Sequence, residues 1–67
     1  MRVILNGRDH GLPDGATVDA AVAASGAPSR RGVAVAVDGE VVPRGSWTTT
    51  ELREGQKVEV LQAVQGG

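Results

Sequence analysis

Apolar and polar side chains alternate along several stretches of this chain and recur at helical spacing in another, a pattern that predicts a sheet with one helix packed on it. Met1, Val3 and Leu5 alternate with Arg2, Ile4 and Asn6, and the run stops at Asn6-Gly7, a pair suited to the positive φ angles of a tight type I′ hairpin turn. A return strand is expected over about Arg8 to Leu12. Pro13-Asp14-Gly15 then breaks the sheet with a fixed φ, a turn-forming side chain and a flexible residue.

Thr17 stands where a helix cap is wanted, Asp19 sits where the positive end of the helix dipole favours an acid, and Ala20, Ala21, Ala23 and Ala24 are strong helix formers. The helix is expected from Val18 to about Ser25, with Val18, Ala21 and Val22 as a modest apolar stripe laid across one sheet face. Gly26 and Pro28 supply its C-cap and stop. Val33, Val35 and Val37 alternate with Ala34 and Ala36, so the next strand carries large groups on one face and small ones on the other. Asp38-Gly39 makes a second hairpin turn, Glu40 to Val42 returns, and Pro43, which lacks a ladder donor, puts that strand at an edge. Thr48-x-x-Glu51 reads as a capping box on a short helical turn, with Leu52 as a core plug. Glu54-Gly55 turns the chain, Lys57-Val58-Glu59-Val60-Leu61 alternates again as the last strand, and Gln62 to Gly67 runs off it.

Hairpin, helix, hairpin, short turn and last strand is the order of a β-grasp (ubiquitin-like) domain, an α+β fold. Its mixed five-stranded sheet has the first and last strands parallel at the centre, strands two and four at the edges, and one main helix across one face. The expectation is a single β-grasp domain over residues 1–67, with 63–67 a mobile C-terminal tail.

Composition narrows what such a domain can do. In 67 residues there is room for one small core, and with no Cys and a single His neither disulfides nor a metal can brace it. Trp47, the sole aromatic, reads as packing against Pro43 and the second hairpin, with a partner-docking anchor as the sharper reading. Seven Lys/Arg against eight Asp/Glu, without a long run of either sign, leave no electrostatic footprint for nucleic acid or anionic lipid. Arg30-Arg31 reads as a solvated loop after the helix. The N-terminal apolar run is too short for a signal peptide and no stretch nears the ~20 apolar residues of a membrane span, so a cytoplasmic setting is expected.

Catalytic inventories come up short. His10 lies between Asp9 and Gly11 in a hairpin strand, Ser25, Ser29 and Ser46 fall in turn-like segments, and no Cys nucleophile exists, so His10 reads as an exposed structural residue. Clustered metal ligands and the Gly-x-x-x-x-Gly-Lys and Gly-x-Gly-x-x-Gly phosphate motifs are absent despite ten glycines, so the chain is expected to bind no cofactor or nucleotide itself.

The remaining chemistry is in Gly66-Gly67. A terminal carboxylate, with a pKa of ~3.5, is ionised and a poor acyl electrophile, so its covalent use requires activation, typically as an acyl-adenylate made with ATP by another protein. Two residues without Cβ atoms can thread a narrow channel and leave the terminal carbonyl unhindered. At an average glycine usage of about 7%, such a pair ends a chain by chance about once in two hundred, and a few-fold more often in one this rich in glycine.

Order and tail together resemble the ThiS family, the sulfur carriers of thiamine biosynthesis, over nearly the whole chain. Leu5-Asn6-Gly7 resembles the family's first hairpin. Val35-Ala36-Val37-Asp38-Gly39-Glu40-Val41-Val42-Pro43-Arg44, followed by Trp47, resembles its central signature, with Asp38 where Asn is common and Gly45 where Ser is common. Leu52, Gly55, Val58-Glu59-Val60 and Val64-Gln65-Gly66-Gly67 complete the likeness. The resemblance implies that an E1-like adenylyltransferase of the ThiF type uses ATP to adenylate Gly67, and that a cysteine persulfide donor supplies sulfur as AMP leaves. The resulting thiocarboxylate then serves a thiazole synthase of the ThiG type. The carrier would need no catalytic site of its own, and both partners are expected to read the exposed sheet face beside the last strand and to take up Val64, Gln65 and Gly66 with Gly67. The same fold and tail are also compatible with a carrier for molybdopterin or another sulfur pathway, whose family is usually longer. They are compatible too with a ubiquitin-like modifier joined through Gly67 to target lysines, and with a noncovalent interaction module in which the tail would be dispensable.

Overall fold

Asn6 and Asp38 stand at positive φ, 50° and 49°, and each is followed by a glycine, at 81° and 84°, so both predicted turns close hairpins with the backbone that Asn-Gly and Asp-Gly favour. The first joins β1 (Arg2–Leu5) to β2 (Arg8–Gly11), and the second joins β3 (Val33–Val37) to β4 (Glu40–Val41). The last strand is β5 (Lys57–Gln62), and the single helix is α1 (Val18–Ala24). The computed structural model describes residues 1–63, and there the strands form one sheet in the order β2-β1-β5-β3-β4. β5 runs parallel to β1 and antiparallel to β3 at the centre of the sheet, with β2 and β4 at its edges, the arrangement of the β-grasp.

Strand alternation decides which side chains meet the helix. Val3, Leu5, Val33, Val35, Val58 and Val60 are all buried, under Val18, Ala21 and Val22 of α1, and Trp47 and Leu52 complete the cluster. Each such side chain contributes roughly 1.5–3 kcal/mol on burial. Trp47 is 2% exposed, its indole N–H donates to the Val42 carbonyl at 2.9 Å, and the Arg44 guanidinium lies 5.6 Å over its ring. A ring so enclosed is a core residue and not an anchor offered to a partner.

Several local expectations are corrected by tertiary contacts. Thr17 occupies the N-cap position of α1 but makes no side-chain cap bond. The first amides are satisfied from across the fold, Val18 N–H by the Thr50 carbonyl at 2.9 Å and Asp19 N–H by the Trp47 carbonyl at 3.0 Å. The helix closes one residue early, at Ala24, with Ser25 as C-cap and Gly26 at φ 85° behind it. The capping box is not made either. The 3₁₀ turn falls earlier, at Arg44–Ser46, and the Ser46 carbonyl collects the N–H and hydroxyl of Thr50 at 3.0 and 2.7 Å, while Glu51 bridges Thr17 as an isolated β pair. His10 is partly buried and pairs with Val3 on the helix side of the sheet.

Arg30 is likewise more than a solvated loop cation. Its Nε and Nη2 donate to the two carboxylate oxygens of Asp19 at 2.5 and 2.9 Å, and Arg44 Nη2 donates to the Arg30 carbonyl at 2.7 Å, so the loop after α1 is tied back to the helix's first turn. The Arg30 hydrogen bonds, helped by its charge and opposed by burial, hold the Asp19 carboxyl below its ordinary value of 3.8. A carboxyl depressed on folding adds stability above its unfolded pKa and loses it as pH falls through the lowered folded value.

Two sets of thermal melts check this account. Val58→Ala empties part of the core and is expected to cost about 2 kcal/mol, lowering Tm by roughly 10 °C, whereas Val41→Ala, at a residue 75% exposed, stays within about 0.5 kcal/mol. Wild type is expected to melt above Asp19→Asn near neutral pH, and the two curves should converge below pH 3.8 as the native carboxyl takes up its proton.

Candidate functional site

Val64, Gln65, Gly66 and Gly67, the residues to which sequence assigns the chemistry and its recognition, lie outside the described residues. What the structure shows is the root from which they continue. β5 reaches it between two neighbours, in register Ile4↔Lys57 and Leu5↔Val58 on one side and from Val37↔Val58 to Val33↔Gln62 on the other. Ala63, where the sequence puts the start of the tail, continues the β3 ladder by donating its N–H to the Gly32 carbonyl at 2.7 Å. Gly32 stands at φ 71°, a backbone conformation that side chains with a Cβ rarely adopt, so glycine suits this end of the ladder.

Both hairpin turns also fasten β5, through side chains that sequence credits only with turn formation. At the start of the strand, Asp38 Oδ1 accepts the Lys57 N–H at 2.9 Å, its Oδ2 accepts from Gln56 Nε2 at 3.3 Å, and its own N–H donates to the Lys57 carbonyl at 2.8 Å. Nearer the exit, the Asn6 N–H donates to the Val58 carbonyl at 2.9 Å, Asn6 Oδ1 accepts the Val60 N–H at 2.8 Å, and Asn6 Nδ2 donates to the Val60 carbonyl at 3.2 Å. These roles depend on a strand 19 and 54 residues further on. The one sequence signal that bears on them is the predicted strand order, which sets both turns beside the last strand.

The sheet face opposite the helix follows from the same alternation. Ile4, Lys57, Glu59 and Leu61 point outward from the two central strands, Ala34 and Ala36 lie beside Leu61 and Glu59, and Val41 lies beside Ala36. Leu61 is 66% exposed and Val41 75%, so this face offers large apolar side chains to solvent around a Lys57 and Glu59 centre. Among the described residues no group of three or more His, Asp or Glu is placed to hold a metal ion, and no helix is long and apolar enough to cross a membrane.

Comparison with known proteins connects this geometry to a family. A sequence model of the ThiS family matches residues 3–67. The thiazole synthase of Paramagnetospirillum magneticum is 31% identical over 67 residues, which is all of this chain and 20% of that protein, so the chain spans about a fifth of this curated relative. The crystal structure of the thiamine biosynthesis protein ThiS from Geobacter metallireducens matches with a TM-score of 0.78 at 26% identity, each chain being covered in full. With a family match over nearly its whole length and a fold like that of the solved relative, the chain belongs to the ThiS family.

Proposed function

We propose that this chain carries sulfur as a thiocarboxylate on Gly67 and gives it up for thiazole formation. The observation that carries the reading is a family match that runs through the Gly66-Gly67 pair, on a chain whose last strand is paired with β3 along its whole length and held on the other side as far as Val60. In the first step the Gly67 carboxylate attacks the α-phosphorus of ATP in an E1-like, ThiF-type partner, and pyrophosphate leaves. The acyl-adenylate is an electrophile where the carboxylate was not. A cysteine persulfide sulfur then attacks the carbonyl carbon as AMP leaves, and a thiol cleaves the resulting acyl disulfide to free the thiocarboxylate. ATP and catalytic groups belong to the partners in this scheme, the carrier has neither a bound cofactor nor a catalytic site, and the use of ATP suits a cytoplasmic setting.

A thiazole synthase of the ThiG type is the proposed acceptor. Its support is that a sequence alike to this entire chain occurs within one thiazole synthase polypeptide, where a tether of that kind would raise the effective concentration of carrier at the synthase. The outward sheet face is the proposed docking surface for both partners, because Leu61 exposes apolar area on β5 two residues before Ala63 and Val41 adds to the same face from β4, across β3. Val64, Gln65 and Gly66 are proposed to be gripped as an extended segment that presents Gly67.

Intact mass tests the chemistry. After incubation with ATP, the E1-like enzyme and a persulfide donor, the protein should gain the mass of exchanging one oxygen for sulfur, and removal of Gly67 should abolish the gain. An unchanged mass with an enzyme that loads its own carrier, or full thiazole formation without Gly67, sinks the proposal, and a stable amide to lysine would indicate a modifier instead. Kinetics test the face. Leu61→Asp should raise the KM for adenylation about tenfold or more while leaving Tm within a few degrees, and an unaltered KM would remove this face from the docking surface.

A further inference from the structure

We infer that Asn6 is a positioning residue for the reactive end of the chain: its carboxamide replaces the strand that β5 lacks on one side and so holds the root of the tail. The parallel pairing of β1 with β5 stops at Leu5↔Val58, because β1 turns away at Asn6-Gly7 into β2. Val58 directs its carbonyl to the β1 side, where it accepts the Asn6 N–H. Two residues on, by the period of a strand, Val60 turns its own N–H and C=O to that side, where no further residue of β1 runs. The Asn6 side chain meets both groups, with its oxygen 2.8 Å from the Val60 nitrogen and its nitrogen 3.2 Å from the Val60 oxygen. One planar acceptor-and-donor pair thus does for Val60 what a peptide unit of a neighbouring strand would do. Val60 is 7% exposed, so without Asn6 two largely dry polar groups would lose their partners.

The placement gives this clamp a function. From Val60 the chain has three residues to Ala63, which is held on the β3 side by Gly32. Asn6 secures the opposite side, so β5 leaves the sheet in one direction. A root that had to be ordered at the moment of docking would weaken association by about tenfold for each additional residue fixed. A carboxylate has the acceptor but not the donor, and glycine has neither, whereas both accept the φ of 50° that the turn requires. The functional half of this inference rests on the carrier reading, while the clamp itself does not.

Asn6→Gly and Asn6→Asp separate the two, with backbone amide exchange and adenylation kinetics measured on the same samples. In Asn6→Gly, exchange at Val60 and Ala63 should accelerate about tenfold or more while β3 stays protected, and the KM for the carrier should rise about tenfold with kcat within about twofold. Asn6→Asp should resemble the glycine variant, because its second carboxylate oxygen faces the Val60 carbonyl. Unchanged exchange in Asn6→Gly overturns the clamp, as does wild-type behaviour of Asn6→Asp. Faster exchange with an unaltered KM overturns the positioning role, and so does a fall in kcat alone. Wild-type protein that is never adenylated overturns the carrier reading and the positioning role with it, and exchange still decides the clamp.

Discussion

Strand β5 has to satisfy peptide groups on both of its sides, because it lies between β1 and β3, and the rest of the structure is arranged to let it do so. Five register pairs with β3 serve one side, but only two with β1 serve the other. On the β1 side the Asn6 side chain makes up the shortfall near the exit, and on the β3 side the Asp38 side chain extends the ladder past its last pair at the entry. A polar group left unpaired at such a site costs on the order of 1–3 kcal/mol, a large share of what a domain this small has in reserve.

The second dependence is of the helix on the segment that precedes β5. Seven residues of α1 are too few to stand alone, since helix nucleation is costly and isolated short helices are marginal in water. Carbonyls of Trp47 and Thr50 receive the first amides of α1, while Leu52 donates its N–H to the Ala16 carbonyl at 2.8 Å and buries its side chain under the helix. Trp47 is therefore a joint as well as a filler: its indole bonds the end of the second hairpin, and its carbonyl caps the helix. Arg30 completes the frame by tying the loop that leads to Gly32, and hence to Ala63, back to Asp19.

These linkages suit the carrier role proposed above. A carrier that brings a reactive end to more than one active site would need from its domain a fixed direction of departure and a surface to be recognised. The helix side of the sheet is consumed by the core. The opposite side exposes Leu61 and Val41 to solvent.

Much of the architecture was legible in the sequence, because period-two alternation and turn chemistry act over a few residues. Asn6-Gly7 and Asp38-Gly39 announced two hairpins, and the Val33, Val35 and Val37 alternation announced a one-sided strand, whereas the expectation placed on Gly66-Gly67 concerns residues outside those described. Where local rules failed, a distant group offered a better bond. Thr17 and the Thr48-Glu51 pair lost their capping roles to carbonyls and pairings brought in by the fold, and Arg30 found Asp19 instead of solvent. The sequence alone therefore determined the strands, the helix and their order. Only the tertiary structure decided that the turn side chains of Asn6 and Asp38 would complete β5, because hydrogen bonding to a particular strand exists only once that strand has been brought alongside.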